Sequence, residues 1–135
     1  MMKKTGYLVI LLFCVSSIHA QHTYHIPSVQ PSEVNFENIH VMPLESDSLT
    51  SSFIIWVKQQ VPAHYHRFHT EQVIVLSGEG MMQLGDQQLK VVAGDFVTIP
   101  KNTVHAVRTT SNEPLKVLSI QSPRFTGEDR ILVTQ

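Results

Sequence analysis

The chain has 135 residues, with Lys+Arg 10 against Asp+Glu 11 and 42% hydrophobic residues. That length buries one core but not two, and a net charge of −1 excludes a partner recognised through a basic surface, nucleic acid above all. A single cysteine excludes a disulfide framework or a Cys-based zinc cluster within one chain, whereas eight histidines are many for a short, nearly neutral protein.

The first residues read as an export signal. Lys3 and Lys4 precede an apolar run from Tyr7 to Val15, and Ser16-Ser17-Ile18-His19-Ala20 leads into Gln21. This is the order of a secretory signal peptide over residues 1–20, cut between Ala20 and Gln21. The run of about nine apolar residues falls well short of the ~20 needed to span a bilayer. Phe13, a bulky residue before Cys14, argues against a lipoprotein signal. Cleavage predicts a secreted or periplasmic protein, not held in the membrane, with eight basic and eleven acidic residues and no cysteine. Residues 21–33 carry Pro27 and Pro31 and no periodicity. They read as an extended lead-in, with His22 and His25 as solvated tail residues.

From residue 34 to 135 no window sustains a helical period. Short runs rich in Val, Ile, Phe and Thr recur instead, with turn residues between them. Phe53–Val57 comes first, then Gln72–Leu76, which stops at Ser77-Gly78-Glu79-Gly80. Met81–Leu84 turns at Gly85-Asp86 and returns as Gln88–Val92. Phe96–Ile99, Val104–Thr109, Leu115–Gln121 and a last short strand, Ile131–Thr134, follow. Helix is an option only over Leu44–Leu49. The glycines at 78, 80 and 85 read as turn residues, and no helix follows them to make a phosphate loop. Strands spaced near ten residues predict an all-β, single-domain antiparallel sandwich or barrel over residues 34–135.

The segment Pro62-Ala-His64-Tyr-His66-Arg-Phe-His69-Thr-Glu71 carries most of the chemistry. On a strand, His64 and His66 point to one face, and two adjacent imidazoles are natural ligands for a divalent metal. Glu71 lies an odd number of residues beyond His66. It rejoins the histidines only if the chain turns over Arg67-Phe-His-Thr70 and a new strand begins. Downstream, Gly94-Asp-Phe-Val-Thr-Ile-Pro100-Lys-Asn102-Thr-Val-His105 is a strand, a turn and a second strand that opens on a histidine. If that strand lines the interior, His105 completes a set of three His and one Glu.

In these two segments the chain resembles the cupin superfamily. The family's first motif runs Gly, five residues, His-x-His, three or four residues, Glu, six residues, Gly; His64, His66, Glu71 and Gly78 keep this spacing, while Lys58 stands where the first Gly belongs. The second motif runs Gly, five residues, Pro-x-Gly, two residues, His, three residues, Asn; Gly94, Pro100 and His105 keep it, with Asn102 for Gly and Thr109 for Asn. Asn tolerates positive φ better than other non-glycine residues, so the first of these departures is mild. The resemblance covers about Asn35–Gln121. It implies a small jelly-roll β-barrel holding one divalent transition metal (Fe, Mn, Ni, Zn or Cu) through His64, His66, Glu71 and His105.

His69 lies between the ligands and belongs to no motif position. It is either a residue at the barrel rim or a catalytic proton-transfer group or substitute ligand beside the metal. The resemblance leaves two functions open. One is a secreted metal-dependent enzyme on a small molecule, either a dioxygenase or a sugar or organic-acid isomerase or lyase. The other is a non-catalytic module that binds a small molecule or carbohydrate. An open sheet edge would favour a homodimer.

Overall fold

A computed structural model of the protein describes residues 22–133. The signal peptide expected over 1–20, together with Gln21, Thr134 and Gln135, lies outside the described residues.

Ten strands form: β1 Ile39–Ser46, β2 Ser51–Val57, β3 Gln60–Tyr65, β4 Thr70–Ser77, β5 Glu79–Leu84, β6 Gln87–Val92, β7 Phe96–Ile99, β8 His105–Thr109, β9 Leu115–Ser122 and β10 Ile131–Leu132. They make two five-stranded antiparallel sheets, ordered β1-β2-β9-β4-β7 and β10-β3-β8-β5-β6. Outside the hairpins β1–β2 and β5–β6, each connection from β2 to β9 carries the chain from one sheet to the other, the pattern of a jelly roll.

Alternation along the strands sets the layers. Val57, Val75, Val97, Ile99, Leu115 and Val117 from the first sheet meet Met82 and Val91 from the second in one buried cluster. The other face of the first sheet is also apolar. Ile54 and Trp56 on β2 join Phe36 in a second cluster that Ile26, Val29, Met42 and Leu118 complete. Both faces of β2 are therefore covered: Ile55 and Val57 pack inward, and Ile54 and Trp56 outward beneath the lead-in. The lead-in is therefore a fastened strap. A single 3-10 turn at Ile26–Ser28 sits in it, and the Lys116 ammonium donates to the carbonyls of Ile26 and Val29, both at 2.8 Å. Burying each large apolar side chain under such a cover stabilises by about 1.5–3 kcal/mol.

Three local expectations change. Leu44–Leu49 is not helical: β1 runs to Ser46, and the Asp47 carboxylate then accepts from the amides of Leu49 and Thr50 to close a turn. Gly80 is not a turn residue but lies inside β5, where a Cβ would come within 3.0 Å of Val107 Cγ2 on β8. Pro62, a residue that ordinarily ends a strand, sits within β3 beside an irregularity of register between Val61 and His64, where a missing amide costs least. Asn102 takes φ 60°, the left-handed conformation expected of it.

Candidate metal centre

The two sheets each supply part of the centre. His64 on β3 stands opposite His105 on β8 in the second sheet. Glu71 is on β4 of the first sheet, between Ile99 and Gln121. His66 lies one residue past the end of β3, in the connection to β4. The turn required between His66 and Glu71 is present, and it returns Glu71 to the histidines. One ring nitrogen from each of His64, His66 and His105 lies within 4.8 Å of the others. Glu71 Oε2 is 3.4 Å from His66 Nε2 and 3.4 Å from His105 Nε2. All four residues are buried, none more than 7% exposed.

The tautomers follow from what holds each ring. His64 Nδ1 faces the Pro62 carbonyl at 2.8 Å, His105 Nδ1 faces the Thr103 carbonyl at 3.0 Å, and His66 Nδ1 faces the Asp129 carbonyl. A carbonyl only accepts, so each Nδ1 carries the proton and each Nε2 offers a lone pair. The Nε2 atoms of His66 and His105 are buried without a hydrogen-bond partner. Glu71 Oε1 accepts from Ser119 Oγ and, at 3.5 Å, from Gln121 Nε2. Its Oε2 is left facing the imidazoles. Buried polar atoms without partners are costly, and a divalent cation among these four residues would satisfy them together. The residues present therefore fit a metal.

The electrostatics agree. Burial, then the neighbouring charges of His105, Arg130 and His66, pushes His64 down to about 4, so its nitrogen stays neutral and able to ligate. Burial alone would raise Glu71, but the close imidazoles of His105 and His66 and the hydrogen bond from Ser119 outweigh it and hold the carboxylate well below its usual range. Burial opposes a charge on His66 too, yet Glu71 and the Asp129 carbonyl lift it above its ordinary value. A fixed anion that pulls a proton onto its neighbour marks a place where positive charge is stabilised.

Sequence reasoning missed the residue that organises this corner. Asp129, in a stretch that reads as polar loop, is 6% exposed. Its two carboxylate oxygens accept from the amides of Arg67 and Phe68, each at 2.8 Å, and Oδ2 pairs with His69 Nδ1 at 2.8 Å. Those amides and His69 outweigh the burial that would raise its pKa and keep the group ionised. His69 is 1% exposed, far from a rim position. Its ring lies 4.0 Å from that of His66 and 5.5 Å from Phe125, centroid to centroid. Burial and the nearby His66 lower its pKa. His66, His69 and Asp129 also cluster closely enough for a metal, but backbone amides and His69 already occupy the Asp129 oxygens. Ser119, Gln121 and Phe125 were missed as well; none has a sequence signal, because their roles come from strand pairing and a long loop. Phe68, by contrast, is 69% exposed.

The centre forms one wall of a cavity of about 250 Å³ inside the barrel. Val61, Val73, Ile55, Phe53 and Phe125 supply apolar wall, and Gln121 and Arg130 add polar groups to the four candidate ligands. His69 is not among the residues that face the cavity.

A two-sheet jelly roll with a His-x-His pair, a glutamate and a distal histidine meeting inside it defines a class, the β-barrels with a candidate metal site in the interior. The family description "Cupin domain" matches residues 52–121, and the chain belongs to that family. An uncharacterized protein of Aquifex aeolicus is 35% identical over 105 residues, 78% of this chain and 86% of its own length. Mannose-1-phosphate guanylyltransferase of Salmonella typhimurium is 41% identical over 69 residues, 51% of this chain and 14% of that protein. Quercetin 2,3-dioxygenase of Bacillus subtilis is 41% identical over 49 residues, 36% of this chain and 14% of that enzyme. The fold is also that of a double-stranded β-helix protein from Klebsiella pneumoniae, with TM-score 0.69 at 18% identity, covering 87% of this chain and all of the other.

Proposed function

We propose that this chain is an exported, metal-dependent cupin enzyme acting on a small molecule, with His64, His66, Glu71 and His105 as the metal ligands. The observation that carries it is the convergence of protonated-Nδ1 imidazoles and a hydrogen-bonded carboxylate on one wall of a largely apolar cavity. Such a donor set suits Fe, Mn, Ni, Zn or Cu, and when bound the ion supplies Lewis-acid chemistry or, as iron, oxygen activation. The protein's own contribution is orientation. Backbone carbonyls fix the three rings, Ser119 and Gln121 fix Glu71, and a valine-rich wall surrounds the reacting face.

Aliphatic walls give a sugar's hydroxyls few partners. They support a dioxygenase-like oxidation over sugar isomerisation or elimination, in line with the similarity to quercetin 2,3-dioxygenase. His69, placed behind His66, acts through that ligand and its loop. One observation favours the non-catalytic reading: among the described residues, no Asp, Glu or His beyond the candidate ligands faces the cavity.

The test is metal content followed by turnover. Protein isolated after export is expected to start at Gln21 and to hold about one metal ion per chain. Oxygen uptake is then screened over a panel of small apolar substrates with the Fe, Mn and Ni forms. A chain that retains no metal after reconstitution overturns the reading. Bound metal and saturable ligand binding without turnover moves the assignment to a binding module.

A further inference from the structure

We propose that the cavity takes a small carboxylate with an apolar body, its head held by Arg130. This rests on the reading of the site given above and adds a substrate class to it.

Arg130 follows Asp129 directly and precedes β10, whose Ile131 and Leu132 pair with Tyr65 and His64 on β3. Its backbone is thus tied between the buried carboxylate that holds the 66–69 turn and the strand that carries the first ligand. The side chain lines the cavity yet is exposed, which puts it at the mouth. Among the described residues it is the only Lys or Arg that faces the cavity, and it forms no ion pair with another of them. An arginine head presents a planar fork of donors that matches a carboxylate in two parallel hydrogen bonds. Loop and strand hold this one beside the entrance with its donors unused.

The rest of the lining selects the body. Below the mouth, Val61, Val73, Ile55, Phe53 and Phe125 offer no hydrogen bonds from their side chains. A hydroxyl-rich ligand would lose its water there without replacement. A volume of about 250 Å³ falls below the ~300–1,000 Å³ typical of drug-sized ligand sites, which favours a small body.

The test uses acids and their uncharged, equally shaped amides. Benzoate and benzamide, and hexanoate and hexanamide, are titrated by calorimetry into the wild-type protein and the Arg130→Gln and Arg130→Lys variants, with metal content measured on each. Wild type is expected to bind each acid about ten-fold more tightly than its amide, the worth of a charge-assisted hydrogen-bonded pair. Arg130→Gln should lose that preference with its metal content unchanged, and Arg130→Lys should keep part of it. Equal binding of acid and amide by wild type overturns the proposal, as does a preference that survives in Arg130→Gln, which would assign the carboxylate to the metal alone. Arg130-dependent discrimination by a chain that holds no metal would break the metal reading and leave this one standing. A metal-loaded chain without such discrimination does the reverse.

Discussion

The two halves of the candidate metal centre are built differently. His64 and His105 face each other across paired strands, and each ring is oriented by a carbonyl two residues before it, Pro62 and Thr103. This half is local: once β3 and β8 pair, the rings are aimed. His66 stands outside the strand, and its ring is held by a carbonyl 63 positions later in the chain, while the carboxylate of the same Asp129 holds the next two amides. One half of the site follows from strand pairing; the other depends on the C-terminal segment closing over it.

Predictions can separate these halves. The largest effect belongs to the strand-borne ligands. A His64→Ala, His105→Ala double variant is expected to lose more than the ~100-fold in metal affinity that supporting groups alone control, while far-ultraviolet circular dichroism shows the barrel intact. Unfolding of that variant would make these histidines structural. Asp129→Ala tests the other half. It leaves the Arg67 and Phe68 amides without their acceptor and should cost about 10–100-fold in metal affinity and about 1–3 kcal/mol in stability by urea unfolding. If metal affinity is unchanged, the C-terminal segment does not set His66. Asp129→Asn, which keeps an acceptor oxygen, should recover part of both losses.

A smaller effect is expected at Ser119→Ala. The hydroxyl supports Glu71 from within the sheet, and its loss should cost about 1–3 kcal/mol in calorimetric unfolding with a modest weakening of metal binding. The smallest effect is on pH dependence. His64 is held at about 4 against an ordinary 6.5, so between those values the unfolded chain binds more protons at this group than the folded one. Its contribution to stability is fully present above pH 6.5 and is lost as the pH falls through about 4. In metal-free protein, His64→Gln should flatten the fall of melting temperature over that interval. An unchanged slope would assign the acid sensitivity to other groups.

Much of the fold was legible because most strands are apolar runs bounded by Gly, Asn, Asp or Pro. The exceptions share a cause. β1 and the start of β3 contain Pro43 and Pro62, each beside an irregularity of register, and local pattern reading takes proline as an end rather than a bulge. The ligand set could be proposed from spacing, since His64, His66 and Glu71 lie within eight consecutive residues and His105 opens a separate strand. Asp129 could not. Nothing local in Thr-Gly-Glu-Asp-Arg says which acid turns inward; that is decided by the amides of Arg67 and Phe68, which face a partner only when the chain is folded. His69 was ambiguous for the same reason.

The strap over the first sheet has an optical consequence. Trp56 is the chain's one tryptophan, it lies 4% exposed in the cluster beneath the lead-in, and the Lys116 ammonium sits 5.6 Å from its ring. It is on the face of β2 turned away from the cavity. Intrinsic fluorescence should therefore report the docking of the N-terminal residues and say little about what occupies the barrel: a red shift in emission would signal a peeled strap around an intact interior.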